Sequence, residues 1–222
     1  MRCMKAVLFD FNGTLYDDNR LHIAAWQNFF RERFGRVFSA EEIHRRCIGP
    51  SNASIFADFL GDLPAEEVRR LSSEKEAAYR KVARSDPNNL HLVEGAPEMF
   101  DRLTQLGIPF ALATSSPIEN VQFYLEDLGM KRWFSLDRIV YEEGKLASKP
   151  DPAFYIEAAR RLGLTPEECA IVEDSLTGIR AAINARAGKI IAVDHSVSRE
   201  QLESYPEIDA IIHDFHGFER LI

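Results

Sequence analysis

Asp10 and Asn12 stand one residue apart at the end of an apolar run, Ala6-Val7-Leu8-Phe9, and Gly13-Thr14 turns the chain directly after them. A covered strand that delivers a carboxylate to its C-terminal end puts that group where open α/β sheets do their chemistry. Three other short segments have the same character. Thr114-Ser115-Ser116 follows the run Pro109 to Ala113, Glu173-Asp174-Ser175 follows Ala170-Ile171-Val172, and Lys149 lies in Ser148-Lys149-Pro150-Asp151-Pro152 ahead of a helical stretch. A carboxylate can attack an electrophile or hold a hard cation, and an ammonium neutralises anionic oxygens as a point charge. Each segment alone also has a structural reading. Asn12-Gly13 suits a turn, Lys149 suits a loop, and Thr114, Ser115 and above all Ser116 suit helix caps. Glu173-Asp174 resists such a reading, because adjacent carboxylates at a buried strand's end repel unless something positive compensates.

The elements that must position these groups are of two kinds. Strand-length apolar runs occur at Lys5 to Phe9, Pro109 to Ala113, Arg138 to Tyr141, Ala170 to Glu173, Lys189 to Val193 and Ala210 to His213. Their apolarity is continuous rather than alternating, which fits strands covered on both faces of a mainly parallel sheet. Helical patterns alternate with them from about residue 95, the doubly wound signature. Ser116-Pro117-Ile118-Glu119 and Thr165-Pro166-Glu167-Glu168 each read as a capping box with proline at the first helical position, and Ser198 to Gln201 as a third box.

Residues 17–91 differ. They hold no strand-like run and four helical stretches in succession. The first carries Leu21, Ala25, Trp26, Phe29, Phe30 and Phe34 at steps of three and four and stops before Gly35; the second opens with the box Ser39 to Glu42. The third runs from about Ser51 to Leu60, and the fourth from near Pro64 to about Arg84. The expected architecture is therefore an α/β fold: a Rossmann-like, doubly wound parallel sheet (1–16 and 92–222) with an inserted helical-bundle cap (17–91).

The totals narrow the function classes. A net charge of −8, with 27 basic and 35 acidic residues, argues against a general nucleic-acid or anionic-membrane binder. Cys3, Cys47 and Cys169 have no paired spacing, which suits a reducing compartment and neither a disulfide framework nor a zinc site. The first segment has a strand pattern with an acid inside it rather than a signal-peptide pattern, and no apolar run approaches a membrane span. The expectation is a cytoplasmic protein that binds neither nucleic acid nor membrane, with a monomer as the default.

The four motifs, in this order and with a helical block after the first, resemble those of the haloacid dehalogenase superfamily across essentially the whole chain. The likeness is greatest to its β-phosphoglucomutase and phosphoglycolate phosphatase group. The resemblance implies a phosphatase-type hydrolase of a small phosphorylated metabolite, most plausibly a sugar phosphate, acting through an aspartyl phosphate on Asp10. It implies Mg²⁺ held by Asp10, the Asn12 carbonyl and Asp174, with Glu173 acting directly or through water. Lys149 would bridge nucleophile and phosphate, while the Thr114 hydroxyl and the Ser115 N–H would bind phosphoryl oxygens.

Asn12 departs from the family's Asp-x-Asp-Gly-Thr pattern. The missing acid would protonate the leaving oxygen and later deprotonate the attacking water; an amide does neither, a loss of about 10²–10⁴-fold in rate. Three readings of Asn12 stay open: a weakened phosphatase, a phosphate-metabolite-binding or regulatory protein, and an engineered inactive variant. Asn12-Gly13 is also a deamidation sequence. In the cap, His22 matches a histidine of the resembling group, and Ile48-Gly49-Pro50-Ser51-Asn52 resembles its substrate-specificity loop. Asn52 stands where the phosphoglucomutases carry an arginine that grips a second phosphate, which disfavours a mutase. The absence of lysine between Asp17 and Glu74 disfavours a phosphonoacetaldehyde hydrolase.

Overall fold

The computed structural model describes residues 4–48 and 51–222. The chain divides into two compact units, Met1–Asp17 with His91–Ile222 and Asp18–Leu90.

The first unit is built on six parallel strands: β1 (Ala6–Phe9), β2 (Phe110–Pro117), β3 (Ile139–Glu142), β4 (Cys169–Glu173), β5 (Lys189–Val193) and β6 (Ala210–Ile212). Their spatial order is β3-β2-β1-β4-β5-β6. β1 is central, with Val7 opposite Phe110 on one side and Ala170 on the other. All four of its residues are fully buried, as the unbroken apolar run requires. Strand order reverses between β1 and β4, so the crevice at their carboxyl ends is the switch point where such sheets bind ligands. The helices are α5 (Ala96–Gln105), α6 (Ile118–Asp127), α7 (Ala153–Arg161), α8 (Leu176–Asn184) and α9 (Arg199–Glu203). The small pair Ala181-Ala182 lets α8 pack closely, in one core cluster with Cys169, Ile171, Phe154 and Ala158.

Two expected helix starts are corrected. β2 runs on to Pro117, and its pairing with β3 is irregular between Ala113 and Pro117, so Thr114, Ser115 and Ser116 lie in an irregular stretch of strand. α6 then begins at Ile118 without a side-chain cap. Ser116 is no N-cap, because its hydroxyl donates to Asn12 instead. The Thr165–Glu168 box does form, but it closes a 3-10 turn, Pro166–Glu168, rather than an α-helix. The Ser198 box opens α9 as expected.

The second unit holds α1 (Asn19–Phe34), α2 (Ala40–Cys47), α3 (Asn52–Leu60) and α4 (Ala65–Arg84). Its core gathers Trp26, Phe29, Phe30, Ile43, Phe56, Phe59 and Leu71, the stripe read from sequence together with its partners. α1 stops where Gly35 takes a left-handed φ of 64° and its N–H caps the Arg31 carbonyl. Among the described residues no helix is long and apolar enough to cross a membrane.

Candidate active site

Four of the residues singled out by type and spacing lie together at the switch point. Asp10 directly follows β1, Glu173 ends β4 and Asp174 follows it. Lys149 reaches in ahead of α7, its Nζ donating to Asp10 Oδ1 and to Glu173 Oε1, each at 2.6 Å. Oxygens of Asp10, Glu173 and Asp174 lie within 4.8 Å of one another.

The electrostatics of this group are unbalanced. Three carboxylates share one ammonium, and all four side chains are largely buried. Burial works against the Lys149 charge, but the charges and hydrogen bonds of Asp10 and Glu173 outweigh it and hold the lysine pKa above its ordinary value. Asp174 is pushed the other way: burial, then repulsion from Glu173 and Asp10, raises its carboxyl well above the usual range, against the pull of the Ser196 and Thr14 hydroxyls. One lysine does not compensate the cluster.

The two acids at the end of β4 have different surroundings. Glu173 is saturated. Its Oε1 accepts from Lys149 and from the Tyr155 hydroxyl at 2.7 Å; its Oε2 accepts from the Asp174 and Ser175 N–H groups and the Ser175 hydroxyl at 3.1–3.2 Å. Asp174 accepts hydroxyls only, from Thr14 at 2.8 Å and from Ser196. Two glycines make room for these acids. A Cβ on Gly178 would lie 1.7 Å from Glu173 Oε1, and one on Gly13 would lie 2.0 Å from Asp174 Oδ2, where φ is also +79°.

Asn12 is held in a polar ring. Its Nδ2 donates to the Tyr124 hydroxyl at 2.9 Å, its Oδ1 accepts from Ser116 Oγ at 2.8 Å, and the two hydroxyls lie 2.9 Å apart. Thr114 reaches the same Oδ1 only at 3.5 Å, and its own Oγ1 accepts the Ser116 N–H at 3.1 Å. Ser115 is exposed on the same irregular stretch.

The remaining three candidates lie in the second unit. Ser51 caps α3, accepting the Ser54 N–H, and Gly49 and Pro50 of the loop that resembles a specificity loop lie outside the described residues. His22 and Asn52 belong to one buried polar cluster. Lys75 Nζ lies 2.9 Å from His22 Nδ1 and donates to Glu76 Oε1 at 2.9 Å, while Asn52 Nδ2 donates to the same oxygen at 2.8 Å. His22 stacks on Tyr79 at 4.0 Å, and the Tyr79 hydroxyl donates to Asp18, which also lies 3.3 Å from His22 Nε2. Burial disfavours the Glu76 charge, but Lys75, His22 and the hydrogen bond from Asn52 outweigh it and pull the pKa down to about 2.

The family model for a haloacid dehalogenase-like hydrolase matches residues 4–186, most of the chain. This protein belongs to that family. It is 28% identical to the phosphorylated carbohydrates phosphatase of Thermotoga maritima over 88% of both chains. It is 30% identical to the validoxylamine A 7'-phosphate phosphatase of Streptomyces hygroscopicus, covering 95% of this chain and 93% of that one. The crystal structure of a family IA, variant 3 hydrolase from Entamoeba histolytica superposes with a TM-score of 0.89 at 31% identity, covering 96% of this chain and 94% of that one.

Several partners in this hydrolase's site escaped the sequence reading. Tyr155, Tyr124, Thr14 and Ser196 each give a hydroxyl to a candidate residue. Tyr124 and Tyr155 are buried on α6 and α7, and a hydrophobic pattern does not reveal where a phenol ends. Only Thr14, inside the first motif, carried a signal, and nothing in the sequence singled out Lys75-Glu76.

Proposed function

We propose that this protein is a metal-dependent phosphatase of small phosphorylated metabolites that uses Asp10 as its nucleophile. The observation that carries the reading is Lys149 placed 2.6 Å from both Asp10 and Glu173, beside a third carboxylate that has no cation of its own. Phosphoryl transfer asks for positioning and charge neutralisation more than for covalent rearrangement. Asp10 attacks phosphorus, the bond to the leaving oxygen breaks, and water then cleaves the aspartyl phosphate. Lys149 aims Asp10 through its hydrogen bond and carries positive charge to the transferred group. Glu173, saturated by five donors, orients Lys149 and Tyr155.

The uncompensated charge fits a hard divalent cation such as Mg²⁺, held by Asp10, Asp174 and the Asn12 carbonyl, with Glu173 acting indirectly. Such an ion supplies neutralisation of the phosphoryl oxygens. Thr114 and the Ser115 N–H are proposed to take the remaining oxygens. Asn12 orients by hydrogen bonding without transferring a proton. Leaving groups that depart as stable anions are therefore favoured, and hydrolysis of the phosphorylated enzyme is slow.

We assign the reading of the leaving group to His22 and Asn52, with Ser51 at the start of the same helix. The Asn52 amide is engaged by the Glu76 carboxylate, which supports a neutral polyhydroxy leaving group over one with a second phosphate. The relatives named above, a phosphorylated carbohydrates phosphatase and a validoxylamine A 7'-phosphate phosphatase, support a small phosphorylated metabolite as substrate.

The test is a steady-state screen of aryl, acyl and sugar phosphates with Mg²⁺ and with chelator, on this chain and on Asn12→Asp. Metal-dependent aryl phosphate turnover is expected, with sugar phosphate rates rising in the variant by up to about 10²–10⁴-fold. Failure of both proteins on every substrate sinks the proposal. Thermal stabilisation by phosphate without turnover would instead support the binding-protein reading that Asn12 suggests.

A further inference from the structure

Asn12-Gly13 is the single asparagine–glycine step in the chain. Such steps are labile because glycine leaves its backbone nitrogen open. The Gly13 nitrogen attacks Asn12 Cγ, the Cγ–Nδ2 bond breaks, and ammonia leaves with the proton shed by the nitrogen. Water then opens the resulting succinimide to aspartate or isoaspartate. The attack requires a free Gly13 N–H and an Asn12 side chain able to swing onto it.

The folded loop opposes both requirements. The Gly13 N–H donates to the Tyr16 carbonyl at 2.8 Å, within a bridge between Asn12 and Tyr16. Gly13 is buried, and its α-carbon lies so close to the Asp174 carboxylate that even a Cβ would meet Oδ2 at 2.0 Å, so the loop is closely packed around it. On the side-chain side the ring closes with one consistent direction: Asn12 Nδ2 donates to the Tyr124 hydroxyl, that hydroxyl can donate to Ser116 Oγ, and Ser116 Oγ donates to Asn12 Oδ1. Tyr124 cannot follow a moving amide, because its ring stacks on Phe11 at 4.1 Å.

We propose that Asn12-Gly13 is a modification site gated by unfolding: the amide persists while the loop is folded, and opening the loop converts it to aspartate or isoaspartate. The aspartate product would place at position 12 the carboxyl whose absence limits proton transfer. That consequence, unlike the gating itself, rests on the function proposed above. Isoaspartate adds a backbone carbon and breaks the bridge to Tyr16.

Folded chain and urea-unfolded chain are incubated at the same mildly alkaline pH and temperature, digested, and weighed at the peptide that contains Asn12. The one-mass-unit gain should appear at least about tenfold more slowly in the folded chain, since reaction must wait for local opening. Equal rates overturn the proposal. Tyr124→Phe, checked for cooperative melting, should convert faster when folded; an unchanged rate overturns the ring's part in the protection. The readout is mass, so it stands or falls separately from phosphatase activity. Refolded aspartate product should gain sugar phosphate turnover, and an absence of gain overturns the functional consequence.

Discussion

Each unit buries a cluster of charged side chains, and the two clusters solve the cost of burial in opposite ways. In the second unit the Glu76 carboxylate has Lys75 and Asn52 against it, and its pKa falls to about 2. In the first unit Lys149 is shared between Asp10 and Glu173, and Asp174 is left with hydroxyls and a raised pKa. Buried charge is tolerated when it is paired and hydrogen-bonded. The first cluster falls short of that by about two positive charges, and that shortfall is what supports proposing it as the reactive site. The second is close to internal satisfaction, which suits recognition of a neutral group.

The sharpest way to break this contrast is Asp10→Asn. Phosphatase turnover should fall by about 10³-fold or more, while removal of one crowded carboxylate leaves the melting temperature unchanged or raised. A variant that keeps its activity, or that loses stability, would show Asp10 to be structural. Lys149→Met should cost about 3–5 kcal/mol of stability, because it strands Asp10 and Glu173 without their cation. Urea unfolding would measure that loss, and saturating Mg²⁺ should recover part of it by binding the folded state. The smallest effect is expected in the second unit. The Glu76 pKa, lowered from 4.5 to about 2, gives stability that is present at neutral pH and lost as pH falls from about 4.5 to about 2. Glu76→Gln should remove that acid limb from the stability–pH curve, on the order of 3 kcal/mol. An unchanged curve would mean that Lys75 and Asn52 do not hold the carboxylate as described.

Much of the fold was legible because its signals are local. Continuous apolar runs marked all six strands, and the stripe from Leu21 to Phe34, ending before Gly35, marked α1, although Phe34 itself lies exposed. The larger error has a clear cause. Ser116-Pro117-Ile118-Glu119 has the composition of a helix start, yet β2 continues through it because Pro117 pairs with β3 and the Ser116 hydroxyl has a tertiary partner in Asn12. A serine that can cap can equally donate across the sheet, and only its surroundings choose. Asp10, Glu173 and Asp174 were legible as reactive types at strand ends and Lys149 as one just ahead of a helix, whereas the site's hydrogen-bonding hydroxyls on Tyr155, Tyr124 and Ser196 carried no signal.

The sequence by itself determined the two kinds of element, the parallel sheet and the residues at its carboxyl edge, since strand burial and helix capping depend on neighbours a few positions away. Only the tertiary structure decided that Glu173 is saturated while Asp174 is not, and that the Asn12 amide is locked by Tyr124 and Ser116. Those outcomes depend on which donors arrive from other segments, about twenty residues away for Lys149 and Tyr155 on Glu173 and more than a hundred for Thr14 on Asp174 and for Tyr124 and Ser116 on Asn12, and hydrogen bonds form over about 3 Å, far finer than any pattern of polarity along a chain can specify.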